Sequence, residues 1–392
     1  MDEQMAPKAP KKQNIILRIL VFLITLVLIA GAIFLVANRD KLSMDALKRY
    51  FAYRTLERSD SGQAESFDYS PSATDVFAAV ENDLLVASTG GVRLYSGGGV
   101  CYVEEDMTLE RPALHVCGDT AAVWSVGGDR VYLYRDRVRL GELTVSDGAI
   151  LSVRLNSSGW LAVTTHASGY KAVVSVYDNE LTLRMAFRLS AAFATDAVVT
   201  EDCRSLAVVS IGQNGAAFES TLSFYDMASR QESGVDYDLT PTASHSLGNP
   251  VVLDLNVGSA VWCVGDTGLS VGQESAVEHW SYQDRLLKNY AFSGEFAALL
   301  VGKYRAGSQA ELYTVDAQGV PSVGRTINEQ VLSLSASGKY VAVLTADRLD
   351  IYTRNLDLYA SLEGTNGAHK VLMRSDGTAL LIGSATAHLY VP

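Results

Sequence analysis

The sequence predicts an all-β protein, an eight-bladed β-propeller preceded by one transmembrane helix and a short helical stalk. Three observations predict it. A tight turn followed by an unbroken apolar run recurs eight times beyond residue 70. An aliphatic or Phe residue followed by Tyr closes a later strand in seven of the eight copies. Near the N-terminus lies one uncharged apolar stretch of membrane-crossing length.

The clearest copy is Val331 to Tyr352, VLSLSASGKYVAVLTADRLDIY. Val331, Leu332 and Leu334 begin it, and Gly338 supplies the permissive backbone that a tight hairpin needs. Tyr340 to Leu344 is apolar without a break, which suits a strand buried on both faces. Leu349, Ile351 and Tyr352 end a third strand, and Leu358 to Leu362 forms a fourth.

The turn and run recur at Asn82, Gly118, Gly159, Cys203, Gly258, Gly294 and Gly377, at spacings of 36 to 55 residues. The aliphatic–Tyr ending recurs at Tyr95, Tyr134, Tyr177, Tyr225, Tyr313, Tyr352 and Tyr390. Only the fifth copy departs, with Leu269-Ser270-Val271-Gly272 in that place. Two markers in fixed order at such a period, with about four strands per copy, define a propeller. A β-sandwich has no reason to repeat the second marker.

Taken in chain order, residues 1–14 form a polar tail with Lys8, Lys11 and Lys12. Residues 15–37 are the transmembrane helix. Ile19 to Val36 carries no charge, and Arg18 lies where its long side chain reaches the interface. Ala30-Gly31-Ala32 has the look of a signal-peptide cleavage site, but Ile33 to Val36 continues the apolar run past it. An uncleaved anchor is therefore expected. A short basic tail stays in the cytoplasm, and a long domain behind the first anchor is carried across largely regardless of charge. That places the propeller outside the cell membrane.

Residues 38–65 are expected to be stalk and linker, with a helix from Ser43 to Arg58 whose Met44, Leu47 and Phe51 form one stripe. The propeller is expected over 66–392. Its blades are expected at 73–110, 111–149, 150–193, 194–242, 243–284, 285–330, 331–368 and 369–392. The last copy is one strand short, and residues 66–72 are expected to supply it and close the ring. Seven blades is the alternative, if 243–284 is partly insertion.

Composition narrows the function. The net charge is −12; residues 1–41 contribute +3, so the remainder carries −15. An acidic body without a basic run is a poor partner for phosphate backbones, so nucleic acid is not expected. Cys101, Cys117, Cys203 and Cys263 are dispersed without metal-ligand spacing. Cys203 is expected to be exposed in its turn and Cys263 packed. A Cys101–Cys117 disulfide is conceivable but not favoured.

No chemical constellation emerges. Gly268-Leu269-Ser270-Val271-Gly272 matches the GxSxG nucleophile elbow, but it falls on a predicted strand with no helix after it. The six histidines, among them His115, His279 and His388, never pair at metal spacing. Asp236-Tyr237-Asp238 is half of a calcium loop and lacks its Gly and Glu. No catalytic, cofactor-binding or metal-binding residue is therefore selected, and no cofactor is expected.

Val176-Tyr177-Asp178 and Phe224-Tyr225-Asp226 stand where WD-type propellers carry an aliphatic residue, Trp and Asp. The chain resembles those proteins, and its Ser-Asp-Gly turns resemble TolB-like and YVTN-type repeats. Its layout is similar to a family of single-span membrane proteins of Gram-positive bacteria. That resemblance implies a propeller outside the membrane and brings no activity with it. The reading is a membrane-anchored binding or scaffolding module for a protein or cell-envelope polymer, favoured over an enzyme, a question the sequence leaves open. The alternative is a propeller hydrolase or lyase whose acids converge at the mouth of the central channel.

Overall fold

The computed structural model describes residues 15–37, 44–64, 66–215, 217–228, 240–248, 251–304, 307–365 and 367–392. The chain divides into two units, 1–54 and 55–392.

The first unit holds helix α1 (Ile15–Ala37) and helix α2 (Met44–Tyr53). At 1.5 Å per residue, α1 is about 35 Å long. Side chains are described for residues 19–31 of it, and all are exposed. Among the described residues no helix is long and apolar enough to cross a membrane. Helix α2 stops at Tyr53, short of the expected Arg58, because Arg58 pairs instead with Ala64 around a turn at Ser59–Gly62. The expected cap, Ser43, lies outside the described residues, as does the tail 1–14.

The second unit is a ring of eight four-stranded antiparallel sheets. Blades one to seven are consecutive: 76–106, 112–144, 149–189, 193–248, 252–281, 286–327 and 331–363. The eighth joins 370–390 to Phe67–Asp68. The seven-blade alternative is thus excluded. One expected boundary was wrong: Ala243–Gly248 is the outer strand of the fourth blade, not the start of the fifth.

The ring closes where the last copy is short. Phe67 pairs with Ala387 and Asp68 with Thr386. The seal also reaches upstream of residue 66. The Ala64 N–H donates to the Leu389 carbonyl at 2.8 Å, and Val391 N–H to the Gly62 carbonyl at 2.9 Å. Together these cover a sheet edge that would otherwise template aggregation.

Each second strand is buried on both faces, as its apolar run requires; Tyr340–Thr345 is buried at every position. The recurrent Tyr explains itself in the packing, because each one reaches into the preceding blade. Tyr134 packs with Leu94 and Val103, Tyr225 with Met185 and Phe187, and Tyr352 with Leu312 and Ile327. In four blades a β-bulge falls at the Tyr, as at Leu133/Tyr134, and re-aims the ring toward its neighbour. Burying a ring of this size is worth about 2 kcal/mol.

Candidate functional site

The sequence motifs do not assemble into a catalytic site. Gly268–Gly272 lies on the flat third strand of blade five, without an elbow. Ser270 is buried, and its Oγ shares a hydrogen bond with His279 Nδ1, its cross-strand neighbour, at 3.1 Å. A Cβ on Gly268 would stand 2.5 Å from the His279 ring, so that glycine makes room for the imidazole. No carboxylate is bonded to His279 among the described residues, so the pair lacks the third group that orients a catalytic base.

All four cysteines are free thiols. Cys203 is half-buried rather than exposed: its turn residue sits at φ +56°, and its Sγ accepts a hydrogen bond from Asn156 Nδ2 at 3.2 Å. Burial pushes the Cys117 thiol up to about 12 and the Cys263 thiol higher still. His388 is buried on the third strand of blade eight, and burial lowers its pKa. Asp236 to Asp238 lies outside the described residues. Among the described residues no group of acids, His or Cys has the geometry to hold a metal ion.

The informative region is the central channel, walled by the first strand of every blade. We call top the end where these strands begin. In blades three to seven the first strand carries a bulge at one position: Ile150/Ser152, Ala194/Asp196, Val252/Asp254, Leu287/Asn289 and Val331/Ser333. Blades one, two and eight keep straight registers.

Below each bulge sits a short polar side chain, and in three blades its role is visible. Asp196, Asp254 and Asn289 each accept the next backbone N–H through Oδ1, at 3.0, 3.0 and 2.9 Å. A bulge leaves a ladder N–H without a strand partner, and these side chains satisfy it.

The two carboxylates share Arg154. Its Nη2 lies 2.5 Å from Asp196 and 2.5 Å from Asp254, bridging blades three, four and five. Ser152 donates to Asp196, and Tyr290 donates to Asp254 from blade six. Burial raises the Asp196 pKa despite Arg154. Burial also opposes the Arg154 charge, but Asp196 and Asp254 outweigh it and keep the guanidinium protonated. Beside them His115 accepts the Leu155 N–H at 3.2 Å on Nδ1. Burial, then the Arg154 charge, hold its pKa down at about 3, so it is neutral. Asp196 and Asp254 thus cluster in the channel, and both are committed to the wall.

Each bulge also ejects one residue: Leu151, Thr195, Leu253, Lys288 or Leu332. With Phe193, Val251 and Leu286 one step above, the three leucines make an apolar crescent at the top mouth. These six side chains are 39% to 52% exposed. Toward the bottom the channel opens into a cavity of about 500 Å3 lined by small polar groups such as Ser293, Ser335 and Ser337. Sequence reading missed the crescent. The signal was present as an apolar or long residue followed by Ser, Asp or Asn near the start of four first strands, with Thr195-Asp196 in the fifth.

A closed ring of eight four-stranded antiparallel blades defines a β-propeller. The chain belongs to a family of unknown function, DUF5711, by a match over residues 50–384. No functionally curated protein matches its sequence. Among solved structures it is similar to the C-terminal WD40 domain of Sif2, with TM-score 0.56, 13% identity, and coverage of 83% of this chain and 98% of that one. It is also similar to Chaetomium thermophilum Sqt1 bound to the N-terminus of ribosomal protein L10, with TM-score 0.56, 14% identity, and coverage of 85% and 100%. At such identities the likeness is one of fold. It bears out the WD-like resemblance at that level. Asp178, at the WD-like position, caps its turn by accepting the Glu180 and Thr182 N–H groups.

Proposed function

We propose that the protein is a membrane-anchored binding or scaffolding body that holds a protein or cell-envelope polymer against the top mouth of its propeller. The observation that carries this is the apolar crescent. Five consecutive blades share a bulge that turns side chains out of the wall, three of them leucines, and exposed apolar groups gathered at one place mark interaction sites.

Anchoring rests on α1, 23 residues long with Arg18 as its one charge. The support is in the sequence: the span 15–37, of which side chains are described only for 19–31, has the length that a ~30 Å hydrocarbon core takes with some tilt. The described part of it buries none of its apolar side chains. The reading of the N-terminus as cytoplasmic and the propeller as outside is supported by the short basic tail 1–14 before a first anchor, while the charges flanking the helix are nearly balanced. The alternative, a hydrolase or lyase using channel acids, finds Asp196 and Asp254 already bonded to Arg154, Ser152, Tyr290 and their own backbone.

The test is crosslinking of the full-length protein in native membranes, with Leu151→Asp/Leu253→Asp as the comparison. Capture of a discrete partner that falls roughly tenfold or more in the double variant is expected, given ~1.5–3 kcal/mol per buried leucine. An unchanged capture profile would remove the mouth from consideration.

A further inference from the structure

Six blades fill the groove against their predecessor with a tyrosine and blade six with Val315, whereas blade five places no side chain there. Its residue at that position is Gly272, and no side chain fits there: a Cβ would stand 2.2 Å from the Ala276 carbonyl oxygen. The third and fourth strands of blade five also run without the bulge that four of the other blades carry at the tyrosine.

The consequence is a cavity of about 630 Å3 between blades four and five. The corresponding groove between blades one and two, with Tyr134 in place, leaves about 290 Å3. The open groove is floored by Phe224, Val257 and Val261, all buried, and rimmed by Glu201, Asp202 and Glu274. Blade two sends Arg137 over its groove to Asp83 of blade one. Blade five has Ser275 in the place of Arg137, so no cation covers the rim from that side. Among the described residues Glu201 is held by Ser157, Asp202 by Thr200, and Glu274 by Ser205, and none of the three forms a salt bridge.

We infer that this groove is a ligand site for an aromatic ring bearing a positive charge. The ring occupies the place that a tyrosine takes in the sibling grooves, against Phe224, Val257 and Val261. The cation meets the acidic rim. A volume of this size lies within the ordinary range of small-ligand pockets, apolar inside with a few polar groups at the edge. The chemistry fits a free aromatic amine or an aromatic residue next to Lys or Arg in another chain.

Titration calorimetry on the full-length protein in detergent tests it with tyramine, p-cresol, 4-hydroxyphenylacetate and a capped Tyr-Lys dipeptide. Saturable one-site binding is expected for tyramine or the dipeptide, weaker binding for p-cresol and weakest for the carboxylate. Whichever of the first two binds more tightly identifies the source. Ser259→Trp, at an exposed lining position, should plug the groove and abolish binding. Glu201→Gln/Glu274→Gln should weaken tyramine roughly tenfold, the loss of two charge contacts at a wet site, and leave p-cresol unchanged. Circular dichroism confirms that both variants stay folded. Absence of binding by all four probes, binding indifferent to the tryptophan, or a preference for the carboxylate would each overturn the site.

Discussion

The grooves between blades one and two and between blades four and five are built from the same positions and have opposite contents. In the first, Tyr134 packs on Leu94 and donates to Glu105 at 2.9 Å, while Arg137 grips Asp83 with two hydrogen bonds of 2.7 and 3.3 Å. In the second, Gly272 replaces the tyrosine, Ser275 replaces Arg137, and Ser205 stands where Asp83 would be. Its hydroxyl turns to Glu274 at 3.1 Å. One groove is sealed by a ring and neutralised by an arginine. The other is empty and acidic. A repeat body can therefore make a site by omitting its own inter-blade packing, at the cost of some cohesion between two blades.

The largest effect should come from making the closed groove resemble the open one. Tyr134→Ala removes a fully buried ring, and aromatic-to-alanine changes of this kind cost about 3–5 kcal/mol. Urea unfolding should show that loss with little change in slope. If the closed groove is only incidentally filled, the loss will fall near 1 kcal/mol. In that case the tyrosine marker would be decoration and the contrast between the grooves would lose its meaning.

Arg137→Ser isolates the electrostatic half of the contrast. It leaves the Asp83 carboxylate, buried in the groove wall, without its guanidinium. Breaking a fully buried pair costs about 3–5 kcal/mol, but Arg137 is half exposed, so solvent screening reduces the expectation to ~1–2 kcal/mol. The destabilisation should fade in Arg137→Ser/Asp83→Ser, which gives this groove the residues of its open counterpart. A double variant as unstable as the single would show that the arginine acts through packing, including its stack on Tyr102 at 4.4 Å.

Much of this architecture was legible in the sequence, and the illegible parts have physical reasons. Six of the tyrosines recur at one register position because burial between blades favours a large ring there; in blade six Val315 takes that position and Tyr313 lies two residues before it. The sequence could not say that each ring serves the preceding blade, since a period carries no direction. The exception at Gly272 was visible as a gap in the pattern, but a gap reads as a void only when the neighbouring Phe224 and Val257 are in place beside it. The boundary at 243 failed because Ala243–Gly248 is an outer strand with one buried residue, Leu247, and little apolar signal. The channel bulges stayed hidden because one extra residue, such as Leu151 after Ile150, reads as a longer apolar strand. The Arg154–Asp196–Asp254 network spans a hundred residues of chain, and no local pattern links its members.

The smallest effect concerns the rim of the open groove. Asp202 has its pKa held below the usual carboxylate range, first by the Thr200 hydroxyl at 2.7 Å and then by the Arg204 N–H at 3.1 Å. A carboxylate with a depressed folded-state pKa contributes stability above its unfolded value near 4, and that contribution disappears as the pH falls through the folded value. Thr200→Val removes the larger cause, so an NMR titration should find the Asp202 pKa moved up toward the ordinary range. The open groove would then lose part of its negative rim at a higher pH than in the parent protein. Tyramine binding, followed downward from neutral pH, should fail earlier in Thr200→Val than in the parent. If the two pH profiles coincide although the Asp202 pKa has moved, then Glu201 and Glu274 hold the cation and Asp202 is only a turn residue.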